Sequence, residues 1–430
     1  MGARETALST LIACRRQGGW SNAVLKDTVR RDRLDGREAA LATRLCYGVL
    51  QNRGRLDFYL KQLLKGKLKS LHPATRDILH LGLYQIYDLD RVPDSAAVNE
   101  SVVLAKKYAP QSQTGLVNGV LRSAVRTKGK LLEPTSYEDK YSHPEALVAL
   151  LKANVPKGML ESVLQADNAA PETVIQVNTL KTGRDDLQKA LEKEGVEAKP
   201  HSWMPDCLVL NGTGSIDQLH AFQEGLFYVQ DPASKLSVLC ARLPEEGGLR
   251  LGGKSFAAAI AMGDRGTVLS RDVHAHKIAL IEGGAKRLGI ASLQAALQDA
   301  AQFRPEWEGT MDVVLADVPC SGLGIIRKKP DIRYRDLETA KELPALQRAI
   351  LWNQARYVRP GGVLMYSTCT LLKRENEEVV SAFLESHPDF HTEKLTLPGN
   401  FPGNETGMLT LYPGQYDTDG FFICRLRRNL

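Results

Sequence analysis

Downstream of Gly225 the hydrophobic pattern switches to strands that are apolar without interruption, separated by helical stripes. Asp312–Pro319 (DVVLADVP) and Val363–Thr370 (VLMYSTCT) are the clearest of these strands. A strand that is apolar on both faces must be covered on both sides, the condition of a parallel strand inside an α/β sheet. Between them, Leu346–Val358 carries an amphipathic helical stripe that Arg359-Pro360-Gly361-Gly362 should close. Thr267–Asp272 is a further strand with a helix after it, and Phe421–Leu426 ends the series. The alternation predicts an α/β, doubly wound, Rossmann-like domain over residues 226–430. Its ligand site should lie at the carboxyl ends of the strands.

The upstream half reads differently. Leu41, Leu45 and Val49, then Leu79, Leu83 and Ile86, then Val98, Val102 and Ala105 recur at helical spacing. Residues 1–130 are therefore predicted as an all-α bundle. Residues 131–142 are polar and aperiodic, and are predicted as a linker. In residues 143–225, strand-like Val174–Lys181 and Cys207–Gly212 flank a helical stretch, which predicts a small α+β subdomain. A chain of 430 residues has room for such a multidomain plan.

Charge separates the two halves. Residues 1–130 hold 23 Lys and Arg against 11 Asp and Glu, a net of +12, whereas the remainder carries −6. A basic module on a mildly acidic body suggests an RNA- or DNA-binding appendage on a catalytic domain. No apolar stretch approaches the ~20 residues of a membrane helix, so no membrane partner is expected. The start, MGARETALST, has no apolar leader core. Seven cysteines, none in a CxxC pair, predict neither a metal site nor a disulfide framework, and a cytoplasmic location is the default.

Four features fall at the predicted ligand edge: Gly252-Gly253-Lys254-Ser255 opening a helix, Asp272 ending one strand, Asp299 ending the next, and Asp317 within ADVPCSG. Glycines admit a ligand close to the backbone, and a strand-end acid can accept from a ribose hydroxyl. Together they describe a pocket for a nucleoside-containing cofactor. GxGxxG is absent, so S-adenosyl-L-methionine fits better than NAD. Cys320 and Cys369 close apolar strands at the same edge. A thiolate adding to carbon 6 of a cytosine makes carbon 5 nucleophilic enough to attack an activated methyl group.

On Asp317-Val318-Pro319-Cys320-Ser321-Gly322, Tyr366-Ser367-Thr368-Cys369-Thr370, Gln230-Asp231-Pro232-Ala233-Ser234 and Asp419-Gly420-Phe421-Phe422, the chain resembles the NOL1/NOP2/Sun-type RNA cytosine-5 methyltransferases. Tyr47-Gly48-Val49-Leu50 and Val117–Arg122 resemble the RNA-binding NusB fold. The resemblance implies Cys369 as nucleophile and Cys320 as the group assisting product release. It implies Asp317 against the cytosine, Lys254 near the catalytic pocket, Asp272 on the cofactor ribose and Asp299 on the adenine side. Leu251-Gly252-Gly253-Lys254 would be the first cofactor motif. The implied substrate is small-subunit ribosomal RNA, and the implied enzyme a monomer.

One departure stands out. The family's first motif runs from a strand ending in Asp through an Ala-Ala-Pro-type segment to Gly-Gly-Lys. Here Glu245–Leu251 (EEGGLRL) precedes Gly-Gly-Lys, with a short strand and neither the acid nor the Ala-Ala-Pro. Weaker packing and cofactor binding are the expectation, which opens a second reading as an RNA-binding protein that no longer methylates. A third reading, a DNA cytosine methyltransferase, would make Cys320 the attacker.

Overall fold

The computed structural model describes residues 1–16, 21–243, 254–398 and 405–430, together with the backbone of residues 17 and 248–251. The chain divides into two compact units: residues 1–169 with 326–335, and residues 170–325 with 336–430.

The first unit is helical. Its helices Ala3–Gln17, Ser21–Asp32, Gly36–Leu63, Pro73–Asp88, Asp94–Tyr108 and Gln111–Arg126 carry the periodic apolar residues of the sequence. Leu8, Leu45, Val49, Leu60, Leu79, Leu83 and Leu121 meet in one core. The long third helix starts where the Asp35 side chain accepts from the Glu38 backbone N–H, a cap that satisfies one otherwise orphaned donor. Gly48 sits at a helix crossing so close that a Cβ there would stand 2.0 Å from Tyr84 Cζ. The segment Ile326–Arg335 is anchored by Arg333, which is buried and donates to Gln51 O (2.9 Å), Asn168 Oδ1 (2.8 Å) and Asp167 O (3.2 Å).

Beneath this core lies a charged cluster with a consequence for acid stability. Asp57 accepts from His80 Nε2 at 2.7 Å and pairs with Arg76. Burial alone would raise its carboxyl, but the hydrogen bonds from His80 and Arg76 hold it down at about 2. A carboxyl depressed on folding adds stability above its unfolded value near 4, and that stability is lost as pH falls toward 2. Urea or thermal melts between pH 5 and 2 should therefore show a steeper acid loss in the natural protein than in Asp57→Asn.

The second unit holds two sheets. The smaller is antiparallel in the order β2-β3-β1-β4, with β1 at Thr173–Val177, β2 at Glu197–Pro200, β3 at Cys207–Asn211 and β4 at Phe227–Val229. The larger contains β5 (Gly248–Leu251), β6 (Thr267–Asp272), β7 (Leu293–Leu297), β8 (Met311–Asp317), β9 (Val358–Thr368), β10 (Phe390–Thr392), β11 (Met408–Leu411) and β12 (Phe421–Arg428). Its order is β10-β12-β9-β8-β5-β6-β7, with β11 added beside β12. From β9 to β7 the neighbours run parallel, while β10, β11 and β12 pair antiparallel. The short strand of the first motif, β5, occupies the centre and pairs with both β6 and β8. Strand order reverses there: β6 and β7 build outward on one side of β5, and β8 and β9 on the other. Such a switch point opens a crevice beyond the carboxyl ends of the strands.

One local expectation is corrected. Arg359-Pro360-Gly361-Gly362 does not close the preceding helix, which ends at Ala355; the four residues lie inside β9. Pro360 lacks an N–H and Gly361 sits at φ +72°, so the ladder is interrupted there. Pairing shifts from Met311↔Val358 to Val313↔Val363 across the bulge.

Candidate active site

The site begins with β8 and β9. Both are apolar runs buried on both faces, and their register places Asp317 opposite Ser367. Val318 N–H still donates to Ser367 O at 3.2 Å, but Pro319 has no N–H to continue the ladder. The two chains therefore leave the sheet side by side, one into Cys320 and the other into Cys369. The sulfurs stand 3.1 Å apart, and the Cys369 backbone N–H donates to Cys320 Sγ at 3.3 Å.

The turns are held by buried polar groups that sequence reasoning missed. Glu375 is fully buried, and its Oε2 accepts from Ser321 N–H and from Gln347 Nε2, both at 2.9 Å. Gln347 also donates to Pro319 O at 2.9 Å. Ser321 and Thr370 hydroxyls share a 2.7 Å hydrogen bond, and Thr368 donates to Asn376 Oδ1 at 2.6 Å. The available signal was the polar Glu375-Asn376-Glu377 run directly after an apolar strand and its turn. Gly324 closes the arrangement: its N–H donates to Cys369 O (2.9 Å) and its carbonyl accepts from Gly420 N–H (2.7 Å). A Cβ on Gly324 would lie 2.2 Å from Gly420 O, which leaves room for glycine alone.

Glu375→Ala would strip the Ser321 N–H and the Gln347 amide of their acceptor. At roughly 1–3 kcal/mol for each buried group left unpaired, we expect denaturant unfolding to show about 2–5 kcal/mol lost. Glu375→Gln, which keeps an acceptor oxygen, should recover part of this.

Lys254 and Asp317 meet at the switch point. Lys254 follows β5, is 2% exposed, and places Nζ 2.5 Å from Asp317 Oδ1 and 5.1 Å from the Phe421 ring centre. Ser367 Oγ also donates to Asp317 Oδ1, at 3.2 Å. Asp317 Oδ2 has no hydrogen bond among the described residues. The hydrogen bond with Cys369, burial, and the charges of Cys369 and Glu375 push the Cys320 thiol well above its ordinary value.

Asp272 and Asp299 lie at the ends of the next strands. Asp272 Oδ1 accepts from His274 N–H at 2.9 Å, and Lys277 Nζ lies 3.0 Å from Oδ2. Asp299 Oδ1 accepts from Ala301 N–H at 2.9 Å. Three further groups at this edge went unnoticed in the sequence. Val273, just beyond β6, and Leu297, ending β7 opposite Asp272, are 54% and 59% exposed. Gln298 is buried, and its Nε2 has no partner among the described residues. Exposed apolar side chains, an orphaned donor and strand-end acids are what an adenosine moiety would cover, so these residues fit S-adenosylmethionine. Of the first motif, Leu251 is described as backbone, ending β5 opposite Ser270, while Gly252 and Gly253 lie outside the described residues.

A mixed sheet whose parallel strands reverse order at a central switch point, a nucleoside-type edge and a cysteine pair define a Rossmann-like methyltransferase domain. Comparison with known proteins narrows this. Residues 251–427 match the model of the 16S rRNA methyltransferase RsmB/F family, residues 1–126 that of the NusB family, and residues 143–217 that of the RsmF/B-like ferredoxin-like domain. The chain is 35% identical to the "Probable ribosomal RNA small subunit methyltransferase B" of Bacillus subtilis (strain 168), covering 99% of this chain and 98% of that one. It is 34% identical to the protein of the same description from Synechocystis sp., over the full length of both. The crystal structure of PH0851 superposes with a TM-score of 0.81 at 26% identity, covering 99% of this chain and 98% of that chain.

The chain belongs to the ribosomal RNA small subunit methyltransferase B family, and is an RNA methyltransferase with a NusB-like helical domain and a ferredoxin-like subdomain. Neither the fold nor the relatives support the reading as a binding protein without methyl transfer. Among the described residues no helix is long and apolar enough to cross a membrane.

Proposed function

We propose that this protein methylates carbon 5 of a cytosine in small-subunit ribosomal RNA, through a covalent bond between Cys369 and carbon 6. The observation that carries the reading is the 3.1 Å approach of the Cys320 and Cys369 sulfurs beside the Lys254–Asp317 pair. S-adenosyl-L-methionine, when bound, supplies an electrophilic methyl group. Asp272 would hold its ribose, Asp299, Val273 and Leu297 its adenine side, and the sequence segment Leu251-Gly252-Gly253-Lys254 its methionine end.

The chain's own residues do the rest. The Cys369 thiolate forms the carbon–sulfur bond to carbon 6, and the ring electrons move toward carbon 5. Asp317 is fixed through Oδ1 by Lys254 and Ser367, and its Oδ2 is placed to accept from the exocyclic amine of the base. Once carbon 5 carries its methyl group, its proton must leave and the carbon–sulfur bond must break. The carbon-5 proton leaves to solvent water, its bonding electrons re-form the carbon 5–carbon 6 double bond, and the carbon–sulfur bond breaks with its electron pair on Cys369; Cys320, 3.1 Å away, assists this release by hydrogen-bonding to the departing sulfur. The target base must be unpaired or flipped out, at a cost of about a few kcal/mol in a loop. The basic helical unit supplies salt-dependent attraction to the RNA backbone. A cytoplasmic, monomeric enzyme is the matching physiological form.

Methyl transfer to purified small-subunit ribosomal RNA, with bisulfite mapping of the product, tests the proposal. A new bisulfite-resistant cytosine supports it. Methylation of another base or atom, or transfer to a DNA duplex in preference to RNA, overturns it.

A further inference from the structure

The helical unit contains a cavity of about 310 Å³ with an unusual lining. Asp331 borders it, and both carboxylate oxygens are buried with no hydrogen-bond partner among the described residues. His80 borders it too. This side chain is 0% exposed; its Nε2 is engaged by Asp57, while Nδ1 is buried without a partner. Arg53 lies on the same wall with its guanidinium 5.6 Å from the centre of the Tyr334 ring, and it makes no ion pair among the described residues. Arg15 is the counterexample, since it is neutralised by Asp77 at 2.9 Å.

A buried carboxylate with neither oxygen paired is costly, and such groups are rare unless something else satisfies them. A metal ion is a poor match, because the described residues contain no group of three or more His, Cys, Asp and Glu able to hold one. The complementary ligand presents two adjacent donors to a carboxylate, a flat face to an arginine–tyrosine pair, and polar atoms at its far edge.

We propose that this cavity binds a guanine base of single-stranded RNA. Guanine offers N1–H and the N2 amino group side by side on its Watson–Crick edge, and no other standard base does. Asp331 takes that edge in a bidentate contact, and Arg53 and Tyr334 cover the ring face. The net charge of +12 over residues 1–130 attracts the attached phosphates. The proposal rests on the methyltransferase reading only in taking RNA as the source of the base.

Fluorescence anisotropy with the full-length protein and a labelled ten-nucleotide oligouridylate tests it, the central residue being guanosine, adenosine or inosine. Guanosine should bind about tenfold or more tighter than adenosine, on the scale of one bidentate base contact. Inosine, which lacks the N2 amino group, should lose most of that gain. Asp331→Asn should erase the preference without lowering the thermal midpoint, because a neutral amide relieves an unpaired buried charge. Equal binding of guanosine and adenosine, or a preference that survives Asp331→Asn, would overturn the proposal. Displacement of the labelled RNA by free GMP as effectively as by the guanosine oligomer would overturn RNA as the occupant. If the variant does not fold, the guanosine-to-inosine exchange on the natural protein reads the same contact. Anisotropy involves no turnover, so failure here leaves the methyl-transfer assay unaffected, and the converse holds.

Discussion

Cys369→Ala should abolish methyl transfer, whereas Cys320→Ala should accumulate a covalent protein–RNA complex on ordinary RNA. The asymmetry follows from the roles proposed for the two sulfurs. Cys369 directly follows β9, and in the proposed mechanism its sulfur attacks; without it carbon 5 would not be activated, and a loss on the order of 10⁴-fold or more is expected for a missing nucleophile. Cys320 sits 3.1 Å away and is proposed to assist release, so its removal should leave bond formation possible but slow release. Denaturing electrophoresis after incubation with the RNA and S-adenosylmethionine would show a retarded band for Cys320→Ala and none for Cys369→Ala. RNA carrying 5-fluorocytosine should trap the natural protein in the same way. The reverse pattern would make Cys320 the attacker, as in the DNA-type reading.

Lys254→Met and Asp317→Asn should each lower kcat by about 10²–10³-fold, the usual cost of removing one preorganised charged contact at a reacting base. Lys254 is buried between the Asp317 carboxylate and the Phe421 ring, so it acts chiefly by fixing Asp317. Lys254→Met keeps length and apolar packing while deleting the ammonium. Because the two residues work as one unit, the double variant should be little worse than the poorer single one. Single-turnover methyl transfer at saturating RNA provides the measurement. Additive losses, or rates within threefold of the natural protein for either single variant, would show that the pair does not act on the base together.

Much of this architecture could be read before any coordinates. The continuous apolar runs of β8 and β9 required burial on both faces, and their cysteine-bearing ends required a common edge. The helical stripes of residues 4–127 likewise required a bundle. Pattern failed where pairing is non-local. Nothing in Phe421–Leu426 states that this strand runs antiparallel beside β9, and nothing in Arg359–Gly362 distinguishes a helix end from a bulge. The first motif illustrates the same limit, since a strand of four residues reads as damaged but is placed at the sheet centre by its two neighbours.

Sequence by itself determined most of the secondary structure and the charge division and singled out the candidate reactive groups, because period, net charge and side-chain chemistry are local properties. Tertiary structure alone decided that Glu375 and Gln347 clamp the Cys320 turn, that Lys254 reaches Asp317, and that Asp331 faces a cavity with its carboxylate unpaired. These depend on distances between residues far apart along the chain, which burial, register and turn geometry set only when the whole fold closes.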